Sequence, residues 1–319
     1  MPSSAKWNSV TYGNGKFVAV AVNLTTAAYS EDGITWISAT LPTLPSSSFW
    51  KSVAYGNGKF VAVADVAIGI KIAAYSEDGI NWTATTMPRS SGWISVTYGN
   101  GKFVAVALNS DKSAYSEDGI TWTETTMPSS IPWISVAYGN GKFIAVAENR
   151  KEVAYSEDGI SWSSEILLNY VYPDSVNYGN GKFIVVASSK SNQAEYSEDG
   201  INWNSTILPS SAEWKSVTYG DGKFVAIAYN YDKSAYSEDG ITWHDSIQYL
   251  SQNNSDITES VRSVIGIPSY STANNGQFLR VTDGIPTWTE SLPTLTSPNG
   301  TKYQLTVADD GTLSTVVVS

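Results

Sequence analysis

The chain has 319 residues, 42% hydrophobic and 15% charged, a globular mix long enough for two ordinary domains or one large all-β domain. It has no cysteine and one histidine, His244, which excludes disulfides, thiolate metal sites and multi-histidine zinc centres and disfavours Ser-His or Cys-His catalysis. A formal net charge of −11 argues against nucleic acid, whose phosphates require clustered Lys and Arg.

No apolar run approaches the roughly 18 residues of a membrane-spanning helix. The start, Met1-Pro-Ser-Ser-Ala-Lys6, lacks the charged-then-apolar pattern of a secretory signal. The expectation is a chain made in a cytoplasm, entering its fold at Trp7.

From Trp7 onward one pattern recurs: Trp-x-Ser-Val-x-Tyr-Gly-Asn-Gly-Lys-Phe-Val-Ala-Val-Ala, a variable stretch, then Ala-Tyr-Ser-Glu-Asp-Gly-Ile-Thr-Trp. The closing tryptophans Trp36, Trp82, Trp122, Trp162, Trp203 and Trp243 lie 40 to 46 residues apart. The opening ones are Trp7, Trp50, Trp93, Trp133 and Trp214, with Pro173 in that place in the fifth copy. Each copy parses into four short strands. Trp50-Lys-Ser-Val-Ala-Tyr55 alternates as a pleated strand does. Asn-Gly then marks a type I′ hairpin, which needs positive φ at both central residues. Lys59-Phe-Val-Ala-Val-Ala64 is the second strand, Ala73-Ala-Tyr-Ser76 the third, and Ile80-Asn-Trp-Thr83 opens the fourth.

Six such meanders are what a β-propeller requires, because packing them face to face buries apolar surfaces that a lone meander would expose. The expected fold is therefore all-β: a six-bladed propeller over residues 1–245, a linker over 246–273 and a β-hairpin segment over 274–319. Seven blades is the alternative. Eleven of the 12 tryptophans occupy the two repeat positions, so they read as packing between blades. The tyrosine series at Tyr12, Tyr55, Tyr98, Tyr138, Tyr178 and Tyr219 reads the same way, as does that at Tyr29, Tyr75, Tyr115, Tyr155, Tyr196 and Tyr236.

At Ser30-Glu-Asp32-Gly33-Ile-Thr-Trp36 and its five later copies the chain resembles the Asp-box of sialidase-like (BNR-type) propellers. The resemblance spans roughly residues 7 to 245 and implies a turn between the third and fourth strands of each blade; the common form has one more residue between Asp and Gly. An Asp in such a turn accepts backbone N–H bonds, and the following Gly takes positive φ. That gives Asp32, Asp78, Asp118, Asp158, Asp199 and Asp239 a structural role. A ring of cation sites is the rival, although the spacing fits neither an EF-hand nor a glycine-rich calcium repeat, and no metal or cofactor is expected. Sialidase chemistry, as the resemblance implies it, needs three arginines on the substrate carboxylate, a Tyr–Glu nucleophile pair and an Asp acid. The repeats hold only Arg89 and Arg150, and their Asp and Glu sit mainly in repeated turns, so no enzyme activity is expected. Gly-Asn-Gly-Lys joins two strands and lacks P-loop spacing.

Strand order assigns the uniform Gly-Asn-Gly-Lys and Ser-Glu-Asp-Gly turns to one face. The second-to-third loops and the inter-blade connections fall on the other, where the copies differ. Diverse loops on a rigid scaffold are where recognition resides. Tyr170, Tyr172, Tyr229 and Tyr231 lie there outside the consensus, and could stack on a sugar while Arg89, Arg150, Asp111, Asn149 and Asp232 bond its hydroxyls.

After Trp243 the regularity stops. Asp245–Ala273 reads as a linker with one strand near Val261–Ile267. Gly276–Trp288 echoes a repeat and is a candidate decayed seventh blade, while Tyr303–Val307 and Leu313–Val318 form a hairpin by pattern. Asn275-Gly-Gln-Phe-Leu-Arg-Val-Thr-Asp-Gly-Ile-Pro-Thr-Trp288 and Ser297-Pro-Asn-Gly-Thr-Lys-Tyr-Gln-Leu-Thr-Val307 are similar to segments of bacteriophage tail-fibre and other virion proteins. That resemblance implies an attachment or oligomerisation segment, often trimeric, in a virion assembled in the host cytoplasm. The expected function is a non-enzymatic tail-fibre or baseplate protein recognising a host surface receptor, a glycan first of all, with other virion proteins and further copies of itself as partners. A purely structural virion protein (fibre joint, baseplate or head decoration) is the alternative, and a bacterial lectin or adhesin the third.

Overall fold

The computed structural model describes residues 1–2, 5–22, 25–66, 69–108, 110–148, 150–167, 172–188, 190–229 and 233–246, and the backbones of five strands between 278 and 318. The chain divides into two units, Met1–Ile247 and Gln248–Ser319. Every described element is a strand or a turn.

The first unit is built of six four-stranded antiparallel meanders, each paired in chain order. Meander 1 consists of Trp7–Gly13, Lys16–Ala21, Thr26–Ser30 and Ile37–Thr40, and meander 2 of Phe49–Gly56, Lys59–Asp65, Ala73–Ser76 and Thr83–Thr85. Meander 3 runs through Gly92–Gly99, Lys102–Leu108, Ser110–Ser116 and Thr123–Ile131, and meander 4 through Trp133–Gly139, Lys142–Ala147, Glu152–Ser156 and Ser163–Ile166. Meander 5 has Pro173–Gly179, Lys182–Ala187, Ser191–Ser197 and Asn204–Ala212; meander 6 has Trp214–Gly220, Lys223–Ala228, Ser234–Ser237 and His244–Asp245. A bridge between Asp65 and Gly92 links meanders 2 and 3 into one sheet.

The Asn-Gly hairpins take the conformation that the sequence demands: Asn57 has φ 45° and Gly58 φ 74°, and the other copies follow, Asp221 replacing Asn in the sixth. The second strands of meanders 2 to 5 are buried on both faces, as in Phe103-Val-Ala-Val-Ala107, because a neighbouring meander covers each; in meander 6 Val225 and Ile227 are exposed. Alternating Ala keeps those neighbours close. Trp50, Trp93, Trp133 and Trp214 are fully buried, as are Phe60, Phe103, Phe143, Phe183 and Phe224. Each Phe meets the Tyr across its hairpin, as Tyr98 and Phe103 do with ring centroids 4.8 Å apart.

Adjacent meanders are joined by a repeated knob and hole. The last residue of each opening strand is a Gly over which the next meander's Tyr ring lies: a Cβ on Gly99 would stand 2.0 Å from Cγ of Tyr138. Gly13, Gly56, Gly139 and Gly179 meet Tyr55, Tyr98, Tyr178 and Tyr219 alike. A second contact sets Val18, Val61, Val104, Ile144 and Ile184 against the box Gly of the following meander. Two ends of this series are unmatched among the described residues. Nothing lies over Gly220, and Tyr12 is 59% exposed.

In the second unit Phe278–Thr282 pairs antiparallel with Ile285–Thr289, Thr282 standing opposite Ile285. Lys302–Val307 pairs with both Thr294–Thr296 and Leu313–Val318, so the expected hairpin carries a third strand. The strand expected near Val261–Ile267 lies outside the described residues.

Candidate functional site

Hydrogen bonds separate the two faces of the first unit. On one, the Asn side chain of a hairpin donates to the carbonyl of the box Glu in the next meander: Asn57 to Glu117, Asn100 to Glu157, Asn140 to Glu198 and Asn180 to Glu238, at 2.9–3.1 Å. On the other, the residue leaving the second strand bonds back to the connection preceding its own meander: Val22 to Lys6, Glu148 to Pro132, Ser188 to Tyr172 and Tyr229 to Glu213. The variable loops and connections therefore share one face.

The uniform face is self-satisfied. Asp118 Oδ1 accepts the N–H of Ile120 and Thr121 at 2.8 and 2.7 Å, and the Ser116 hydroxyl donates to the same oxygen. Desolvation pushes the Asp118 carboxyl up, but the Thr121, Ile120 and Ser116 bonds outweigh it and hold it at about 2. Asp199 and Asp239 are held at about 2 in the same way, and Asp78 and Asp158 are likewise lowered against desolvation. For Asp32 the Thr35 and Ile34 N–H bonds and the Ser30 hydroxyl dominate and lower it too. Each box Glu is paired to the hairpin Lys of its own meander, as Glu31 to Lys16 at 3.5 Å. A depression of about 450 Å³ at Tyr75–Thr83 is lined by the same turn groups, whose carboxylate is already bonded. Among the described residues no group of three or more His, Asp or Glu side chains could hold a metal ion.

The variable face carries a cavity that the loops alone do not make. Every opening strand has a β-bulge at its second repeat position, between the Trp (or Pro173) and the Ser. This overturns the plain alternation read for Trp-x-Ser-Val: the extra residue turns both itself and the Ser away from the core, while Trp (or Pro173) and Val stay packed in meanders 2 to 6. Asn8, Lys51, Ile94, Ile134, Asp174 and Lys215 are the six bulge residues. With all six serines they line one cavity of about 460 Å³, to which Leu108 and Glu148 also contribute. The serine oxygens are fixed by the next meander: Ser9, Ser52, Ser95, Ser135 and Ser175 accept the N–H of Val53, Val96, Val136, Val176 and Val217 at 3.1–3.3 Å.

Chemically the lining is split. Ile94, Leu108 and Ile134, from meanders 3 and 4, give an apolar wall. Asp174, Lys215, Asn8 and Lys51, from meanders 5, 6, 1 and 2, give a polar one. Lys215 is ion-paired with Asp174, whose side chain is 4% exposed against 56% for the lysine. Lys51 pairs with Asp65 at 3.8 Å.

None of the described loop residues expected to bind a sugar lines this cavity. Tyr172 and Tyr229 are exposed on the variable face, at 40% and 56%. Arg89 is paired with Glu124 at 3.5 Å, Asp111 with Lys112 at 3.3 Å, and Arg150 is exposed. Tyr170, Tyr231, Asn149 and Asp232 lie outside the described residues. The bulge residues were missed. Their signal was available, since this position within Trp-x-Ser-Val changes class between copies while the Ser and Val after it stay fixed.

No protein-family profile and no curated protein sequence matches the chain. Solved structures do. Virginiamycin B lyase from Staphylococcus aureus superposes with a TM-score of 0.66 at 12% identity, covering 78% of this chain and 87% of that one. Its catalytically inactive variant, solved with quinupristin, gives 0.67 at 11% identity over 79% and 87%. YCF48 bound to D1 peptide gives 0.61 at 16% identity over 77% and 82%. The chain has the β-propeller fold. This propeller shares its architecture with lyases, so the expectation of a chain without enzymatic activity is corrected. That expectation placed the acidic side chains mainly in repeated turns, whereas Glu148 and Asp174 stand at the cavity.

Proposed function

We propose that the propeller recognises a host surface receptor, a glycan, through the cavity of bulge residues and the variable loops around it. One observation carries this reading: the position of the opening strand that changes most in chemical class between copies, from Ile through Asn to Lys and Asp, lies on the same face as the variable loops and lines one cavity. A scaffold that repeats everywhere else concentrates its differences where a ligand would meet them. The likeness of residues 274–319 to tail-fibre and other virion segments supports a bacteriophage particle as the setting. Several copies displayed together would raise a weak sugar affinity by ~100-fold or more.

A second reading, docking of a virion protein rather than a glycan, is favoured by YCF48 having been solved with a bound peptide. Labelled full-length chain is titrated onto a panel of bacterial cells and onto surface polysaccharides purified from them. Saturable binding to a subset of both is expected, weakened by Tyr172→Ala or Tyr229→Ala with the fold unchanged. Silence on every polysaccharide, with retained binding to particle proteins, would replace the first reading by the second.

A further inference from the structure

Resting on the recognition reading above, we infer that the cavity takes the neutral end of an oligosaccharide, its hydroxyl edge on the Asp174–Lys215 pair and one ring face on Ile94 and Ile134. Charge decides against an acidic sugar. The lining holds two lysines and two acids, Glu148 and Asp174, and each lysine already has a carboxylate partner. A carboxylate, sulfate or phosphate entering here would lose water beside two anions without gaining an uncommitted cation from the lining.

Shape and polarity point to the same class. A volume of about 460 Å³ suits a short oligosaccharide rather than a folded partner. A pyranose has an apolar C–H face and a rim of hydroxyls, and the cavity presents an aliphatic wall opposite a polar one. The Asp174 carboxylate is nearly buried and held by Lys215, so it is positioned before a ligand arrives. A sugar O–H donates to its free lone pairs, and the remaining ammonium N–H groups donate to a neighbouring hydroxyl oxygen. Bonds to charged groups are about twice as strong as neutral ones. The oxygens of Ser9, Ser52, Ser95, Ser135 and Ser175 accept backbone N–H bonds, and a hydroxyl used as an acceptor keeps its hydrogen to donate to a ligand.

Calorimetry on the full chain tests this with maltotriose, cellotriose, mannotriose and triacetylchitotriose as neutral probes, against sialyllactose and trigalacturonic acid. At least one neutral trisaccharide should bind, with both acidic probes tenfold weaker or worse. Asp174→Asn should weaken it at least tenfold with an unchanged melting temperature. Lys215→Gln, at an exposed position, repeats the test should the first variant be unstable. Equal or tighter binding of an acidic probe overturns the inference, as does wild-type affinity in both variants. If no neutral trisaccharide binds while surface polysaccharide still does, the ligand class falls and the recognition reading stands. If neither binds, both fall.

Discussion

Each joint between meanders turns on one glycine and the tyrosine that covers it. Gly99→Ala would drive a methyl group into the Tyr138 ring, so it should cost roughly 1–3 kcal/mol in urea denaturation. Gly220→Ala places the same methyl in open space and should fall within about 0.5 kcal/mol of the parent. Equal costs at both positions would show that Gly220 is covered in solution. The box aspartates make a second residue-scale prediction. Their folded carboxyls sit below the ordinary 3.8, at about 2 for Asp118, Asp199 and Asp239. A depressed acid stabilises fully above its unfolded value and loses that contribution as pH falls through the folded one. The melting temperature should therefore be indifferent to these groups from pH 8 to 5 and decline between about pH 4 and 2. A melting temperature unchanged down to pH 2 would contradict the turn chemistry.

Whole elements were legible in the sequence wherever local chemistry dictates them. Asn-Gly fixes the hairpin through positive φ, and the alternation of Ala with larger residues in Phe-Val-Ala-Val-Ala marks close packing on one face, whereas burial of the other face depends on the neighbouring meander. The bulge was not legible, because it is a one-residue slip in pairing between two strands. Trp-x-Ser-Val reads as unbroken alternation when only one of those strands is considered. The candidate site is hidden in the sequence for that reason, whereas the loop tyrosines stand out as departures from the consensus. Glu195 was passed over too: completely buried, it occupies the place held by Ala28, Ala74, Ala114, Ala154 and Ala235 in the other copies. Tryptophan packing, by contrast, depends on the element and its neighbours. Trp133→Ala, in a strand flanked by meanders on both sides, should cost ~3–5 kcal/mol. Trp36→Ala should cost clearly less, since no described residue of a preceding meander packs on the Gly33 turn beside it. Chemical denaturation of the two variants compares them directly, and equal losses would contradict the packing order.

Across the first unit the two faces divide the labour. One satisfies its own polar groups six times over, with carboxylates bonded to backbone N–H groups and lysines paired to glutamates. The other collects whatever differs: the loops, the connections and the bulge residues. Recognition through this second face is the central claim, and the most direct measurement is a matched set of variants titrated onto a surface polysaccharide that the parent binds. Ile134→Ser and Lys215→Ala on the variable face should each weaken binding roughly tenfold, about 1.4 kcal/mol. Asn140→Ala and Glu157→Gln on the uniform face should leave it unchanged. The reverse pattern, with loss from the uniform face and none from the variable one, would contradict the account.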